Sequence, residues 1–289
     1  MLEFKFYSTY YFCNTIKNIL EDQFNYLSKL NSFYGDGLIW ELIKIFPKYS
    51  LFHKFIEFVI TEIFYEEIEI VDIKKHLEII NNHTNQTNTH KDEKLKKLPL
   101  ENAFDLYSIS YLSFEKYLLA INKSLAEVDE IDLYDYYDKL NFNDSLDILI
   151  KKLTSEVFYI LFQNRVLMMK FNQMISDVLE YEKNSRIPEE LKMLIRKDGC
   201  LKRKNIPKWV KRAVFFRDKG CCVLCHKDLT NLINTNNQEN YDHIVPLSQH
   251  GFNDISNIQL LCKECNQINK KDKSAQTSDK YYSWYDELY

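Results

Sequence analysis

Glycine and proline are scarce in this sequence, five of each in 289 residues. A β-fold with many tight turns needs both, glycine for left-handed positions and proline to fix the entry into a turn. Their scarcity argues against a turn-rich β architecture and for long helices. A long uninterrupted apolar run is also missing. The stretch from Leu51 to Tyr65 carries His53, Lys54, Glu57 and Glu62, and it is too short to span a bilayer. The opening MLEFKFYSTYYF has neither the basic start nor the small-residue cleavage site of a secretory leader, so a cytoplasmic location is expected. In that compartment paired cysteines point to metal rather than to disulfides, and the Asn-x-Thr triplets at Asn82 and Asn85 are incidental. No repeat of fixed period is present, so a solenoid is not supported.

What is present is the composition of a folded protein, 45% hydrophobic and 28% charged, with 20 Tyr and 19 Phe to fill helix interfaces. The net charge of −4 conceals an asymmetry: residues 196–289 carry 16 basic against 11 acidic side chains, and residues 1–195 carry 22 against 31. Within 196–219 ten basic residues face only Asp198 and Asp218, a stripe suited to phosphate. Lys208, Lys211 and Arg212 in this stripe are candidate nucleic-acid contacts. Apolar periodicity places a mainly α domain over residues 1–195, with a polar linker at 81–98 and a helix capped by Asp72 running through His76. The longest helical pattern starts at Asn143-Asp144-Ser145 and continues to about Glu182. Pro188, Gly199 and the basic run mark a boundary, after which residues 196–289 form a second, smaller domain.

The chemistry lies in that second domain. Cys222 and Cys225 form one C-x2-C pair, Cys262 and Cys265 another, and two such pairs supply four thiolates for one structural Zn²⁺. Cys221 competes with Cys222 as a ligand, but only Cys222 has the two-residue gap. The 36 residues between the pairs hold Asp242-His243, His250-Gly251, Asn253-Asp254 and Asn257, and Asn266 follows directly after Cys265. Asp242 and His243 are neighbours in an extended segment, so their side chains point to opposite sides and divide the work.

The run RDKGCCVLC…YDHIVPLS…GFNDISNIQLLCKECN, within residues 206–272, resembles the HNH endonuclease family. The resemblance implies a small α+β domain of ββα-metal fold, with His243 as general base. It further implies Asp242 and Asn266 as oxygen ligands of a catalytic Mg²⁺ or Mn²⁺, and Asn257 as a brace for the loop that orients His243. Asn266 stands where the family name has a histidine-type residue and keeps an oxygen donor. The family often has glycine where this chain has His250, and lysine where it has Asn269; Lys270 and Lys271 are expected to take over that phosphate contact. His250 is expected to be a bystander. The implied function is hydrolysis of nucleic-acid phosphodiester bonds, DNA before RNA, leaving 5′-phosphate and 3′-hydroxyl ends. An effector role in bacterial defence or restriction is an extension of this reading. So is a protein partner or second copy of the chain at the helical domain. The competing reading is a non-catalytic zinc ribbon that binds nucleic acid or protein. The terminal YYSWYDELY is expected to pack back on the protein.

Overall fold

The structure, a computed structural model, describes residues 9–35, 44–70, 97–124, 127–181, 193–231, 239–270 and 274–280. Most of the 81–98 linker, the helix expected from Asp72 through His76, and the terminal YYSWYDELY lie outside the described residues. The chain clusters into two compact units, one of residues 1–15 and 56–157, the other of residues 16–55 and 158–289. Helices α1 (Thr9–Glu21), α2 (Leu27–Phe33), α3 (Leu51–Ile70), α4 (Pro99–Leu106), α5 (Phe114–Ala120), α6 (Glu130–Phe142), α7 (Ser145–Leu161), α8 (Arg165–Tyr181) and α9 (Lys208–Arg217) precede one antiparallel pair, β1 (Glu239–His243) with β2 (Ile258–Cys262). The expectation of a mainly helical chain ending in a small α+β module is met. Among the described residues no helix is long and apolar enough to cross a membrane.

The first unit is organised around a buried carboxylate. Glu101 accepts from the N–H groups of Leu98 (2.7 Å) and Phe114 (2.9 Å), tying the start of α4 to the start of α5. Burial raises its pKa, with the two backbone donors pulling the other way. Tyr136 of α6 fills the space beside it, its hydroxyl donating to the Leu112 carbonyl at 2.7 Å and its ring 5.0 Å from Phe114. A reciprocal cap starts α6: Asp129 accepts from the Asp132 N–H and Asp132 from the Asp129 N–H, both at 3.0 Å.

In the second unit the long helix expected from residue 143 to about 182 is broken. The α7 helix ends at Leu161, α8 begins at Arg165, and the Asn164 side chain accepts from the Leu167 N–H at 3.0 Å. An asparagine that can cap a new helix competes with continuation of the old one, and here the cap wins. Phe52, Phe55 and Phe171 make the aromatic core, with centroids 4.9 and 5.4 Å apart across α3 and α8. His53 stacks on Phe158 at 3.6 Å and, through burial, its pKa is pushed down to about 4, so it sits in this core as a neutral ring. From this helical base two contacts hold the loop that leads into β2. The Leu51 N–H donates to the Asp254 carboxylate (3.0 Å), and the Ser256 hydroxyl donates to the side-chain oxygen of Asn172 on α8 (3.3 Å).

Candidate functional site

The two strands set the frame. Their register pairs Asp242 with Gln259 and His243 with Ile258 at one end, and Glu239 with Cys262 at the other. Helix α9 is stitched to β2 by a buried ion pair. Arg217 donates to both carboxylate oxygens of Asp218 (2.9 and 3.0 Å) and to the Ile258 carbonyl (2.6 Å), while Asp218 accepts from the Leu260 N–H (2.9 Å). Neither side chain is exposed at all, and the bidentate geometry with its extra backbone bonds satisfies most of what burial demands.

At the Cys262 end of the sheet the four expected cysteines come together. The sulfurs of Cys222, Cys225, Cys262 and Cys265 lie within 4.8 Å of one another, and those of Cys225 and Cys262 are 3.7 Å apart. Four thiolates on tetrahedral zinc with bonds of ~2.3 Å stand about 3.8 Å apart. The spacing and donor type therefore fit zinc. Cys222 sits in a turn closed by its N–H to the Lys227 carbonyl (2.9 Å) and by the His226 N–H to its own carbonyl (2.8 Å). The neighbouring Val223 N–H reaches the Leu260 carbonyl (3.1 Å), which joins the turn to β2. Cys221 faces Asp228 across an isolated bridge instead, and Cys13 and Cys200 are buried thiols outside the cluster.

At the other end Asp242 and His243 are both buried, 3% and 2% exposed. Arg203, whose side chain is 62% exposed, reaches the Asp242 carboxylate at 3.6 Å. A buried carboxylate requires a cation or donors around it, and one lent by an exposed surface side chain can be exchanged for another cation. Asn266 lies half-buried in the helical turn Cys265–Lys270 that follows the second cysteine pair.

Asn257 is fully buried and bridges the connection. Its carbonyl accepts from the Val245 N–H (2.8 Å), and its amide donates to the carbonyls of Val245 (3.0 Å) and Phe252 (3.1 Å). Asn257→Ala leaves the Val245 N–H and the Val245 carbonyl without their partners in a buried site, while the Phe252 carbonyl keeps the Asp254 N–H at 3.1 Å. At about 1–3 kcal/mol for such a group, it is expected to destabilise the protein by roughly 3 kcal/mol, read as a lower urea midpoint at unchanged m-value.

The 246–251 turn puts different demands on two neighbouring residues. His250 holds φ +58, the left-handed region that favours glycine, and its buried ring lies 3.9 Å from the Cys200 sulfur. At Gly251 a Cβ would stand 2.1 Å from the Val245 carbonyl oxygen and 2.8 Å from that of Pro246. Gly251→Ala therefore forces the backbone apart. A melting point lowered by a loss of about 3 kcal/mol is expected, while His250→Gly at the permissive position is expected to cost much less.

Among the expected nucleic-acid contacts, Lys208, Lys211 and Arg212 are exposed on α9, and the Lys211 ammonium sits 5.6 Å from the Tyr241 ring centroid. The side chain of Lys270 and all of Lys271 lie outside the described residues. The sequence marks Arg203 and Arg217 only as members of the basic stripe, and Asn253 and Asp218 only as members of the run that resembles the HNH family.

Residues 222–272 match the HNH endonuclease family, and the rest of the chain has no family match. No curated protein and no solved structure matches the chain. The match points to a nuclease-type function for this segment.

Proposed function

We propose that the C-terminal module, residues 196–289, is a metal-dependent endonuclease that hydrolyses phosphodiester bonds, in DNA before RNA. The observation that carries this reading is the coincidence, in one segment, of the HNH match with a paired strand ending in Asp242-His243 and a zinc-suited cysteine cluster. In this reading His243 is the general base that takes a proton from the attacking water, a task suited to an imidazole near neutral pH. Asp242 and Asn266 offer hard oxygen ligands to Mg²⁺ or Mn²⁺, leaving positions for water and phosphate oxygens. When bound, that cation supplies positive charge to the phosphate and to the departing 3′ oxygen. Lys208, Lys211 and Arg212 of α9 contact the phosphate backbone, together with Lys270 and Lys271.

The helical residues of 1–195 are read as a control region for a protein partner or a second copy of the chain, in keeping with an effector of bacterial defence or restriction. Unregulated cleavage by the purified full chain, together with elution as a partner-free monomer, would count against that role. The nuclease reading itself is tested by plasmid cleavage with Mg²⁺ or Mn²⁺. Loss of activity in Asp242→Ala with zinc content intact supports it. Tight DNA binding with no cleavage under any divalent metal would favour the zinc-ribbon reading instead.

A further inference from the structure

We propose that Asn253 is a positioning residue that fixes the tautomer of His243, with the proton on Nε2 and the lone pair on Nδ1. The inference rests on the reading of His243 as general base and extends it to the choice of nitrogen. The His243 Nε2 lies 3.3 Å from the Asn253 side-chain carbonyl oxygen. On its other side the Asn253 amide nitrogen donates to the backbone carbonyl of Lys202 at 3.1 Å. A backbone carbonyl only accepts, so the NH₂ of Asn253 must face Lys202 and its oxygen must face the imidazole. An oxygen there requires a donor, which makes Nε2 the protonated nitrogen; a neutral imidazole carries one proton, so the lone pair is on Nδ1.

The loop that holds Asn253 cannot easily turn the amide over. Asn253 is 4% exposed, and its own carbonyl accepts from the Phe46 N–H at 2.9 Å. The next residue, Asp254, is held by the N–H groups of Leu51 (3.0 Å) and Ser256 (2.9 Å). The backbone that carries the amide is thus held in place, and the amide itself spans the Lys202 carbonyl and the imidazole.

The consequence is a directed base. The water proton moves to Nδ1, the water oxygen bonds to phosphorus, and the P–O3′ bond breaks with the electron pair leaving on the 3′ oxygen. As the ring becomes imidazolium, the Nε2–H bond to the Asn253 oxygen strengthens, which stabilises the positive charge. Without the amide oxygen both neutral tautomers become accessible, and a fraction of the enzyme presents an N–H where a lone pair is needed.

The test is a long-range ¹H–¹⁵N correlation spectrum of the full-length zinc-loaded protein at about pH 8, above the usual imidazole range, with the His243 signals assigned by their loss in His243→Ala. The wild type is expected to show Nε2 protonated and Nδ1 bare. A protonated Nδ1 in the wild type would overturn the proposal without recourse to any variant. Asn253→Ala is expected to give a mixed or reversed tautomer and a kcat lower by roughly 10- to 100-fold, the range for partners that orient a functional group, with KM unchanged. Asn253→Asp, which keeps an oxygen toward Nε2, is expected to retain the wild-type tautomer. An unaltered tautomer in Asn253→Ala would reduce Asn253 to a loop fixture. Absence of cleavage by the wild type would count against the nuclease reading alone, since the spectrum still decides what Asn253 does to the ring.

Discussion

His243→Ala is expected to lower metal-dependent plasmid cleavage by about 10²- to 10⁴-fold, the usual contribution of a positioned general base, while the zinc content stays at the wild-type value. The two halves of this expectation come from opposite ends of one strand pair. His243 pairs with Ile258, whereas the cysteine cluster lies where Glu239 pairs with Cys262. Removal of the imidazole therefore leaves the cluster intact. It also leaves the Asn253 oxygen facing a cavity in a site that is 2% exposed at His243, so a moderate loss of stability accompanies the loss of activity. Zinc content by mass spectrometry and cleavage kinetics on the same preparation separate the two effects. A variant that lost zinc and activity together would assign His243 to the architecture rather than to the chemistry.

Cys262→Ser is expected to have the larger structural effect: loss of bound zinc and collapse of cooperative unfolding in the C-terminal module. Cys262 is the last residue of β2, 2% exposed, and its sulfur also accepts from the Cys265 N–H at 3.4 Å. The cluster therefore joins the turn at 222–227, the end of β2 and the helical turn that carries Asn266. Structural zinc sites contribute about 10–16 kcal/mol in small zinc-binding peptides, comparable to or larger than the whole stability of a domain, about 5–15 kcal/mol. Its loss should unfold the module rather than loosen it. Urea unfolding followed with metal analysis checks this. A Cys262→Ser protein that kept a full complement of zinc and an unchanged midpoint would show that the four sulfurs do not share one ion.

What could be read in the sequence was local, and what could not was made by distant packing. The cysteine pairs carry their chemistry in residue type and spacing, so the four sulfurs were foreseen and do meet. The order Asp242-His243 in an extended segment was legible for the same reason, as was a helical body from the scarcity of glycine and proline. The break at 162–164 was hidden because Phe162, Met168 and Met169 continue an apolar stripe across it, and Asn164 declares itself as a cap only once α8 has formed. The contacts of the 253–256 loop were out of reach: Leu51 and Asp254 are 203 positions apart, and nothing in either neighbourhood marks the other. Asn253 stood in a loop with no assigned part because its role requires knowing that Lys202 presents a carbonyl on one side and His243 a ring nitrogen on the other. Likewise nothing local separates the exposed Arg203 from the other basic residues of its run; the fold alone brings its guanidinium to Asp242.

The central claim is that this chain cuts nucleic acid with a metal held at Asp242, and it is tested most directly by incubating the purified full-length protein with supercoiled plasmid in Mg²⁺, in Mn²⁺ and in EDTA. The expected result is nicking and linearisation with either metal, none in EDTA, ends that carry 5′-phosphate and 3′-hydroxyl, and no activity in Asp242→Ala. An intact plasmid under every metal, from protein that holds its zinc and binds the same DNA, would contradict it.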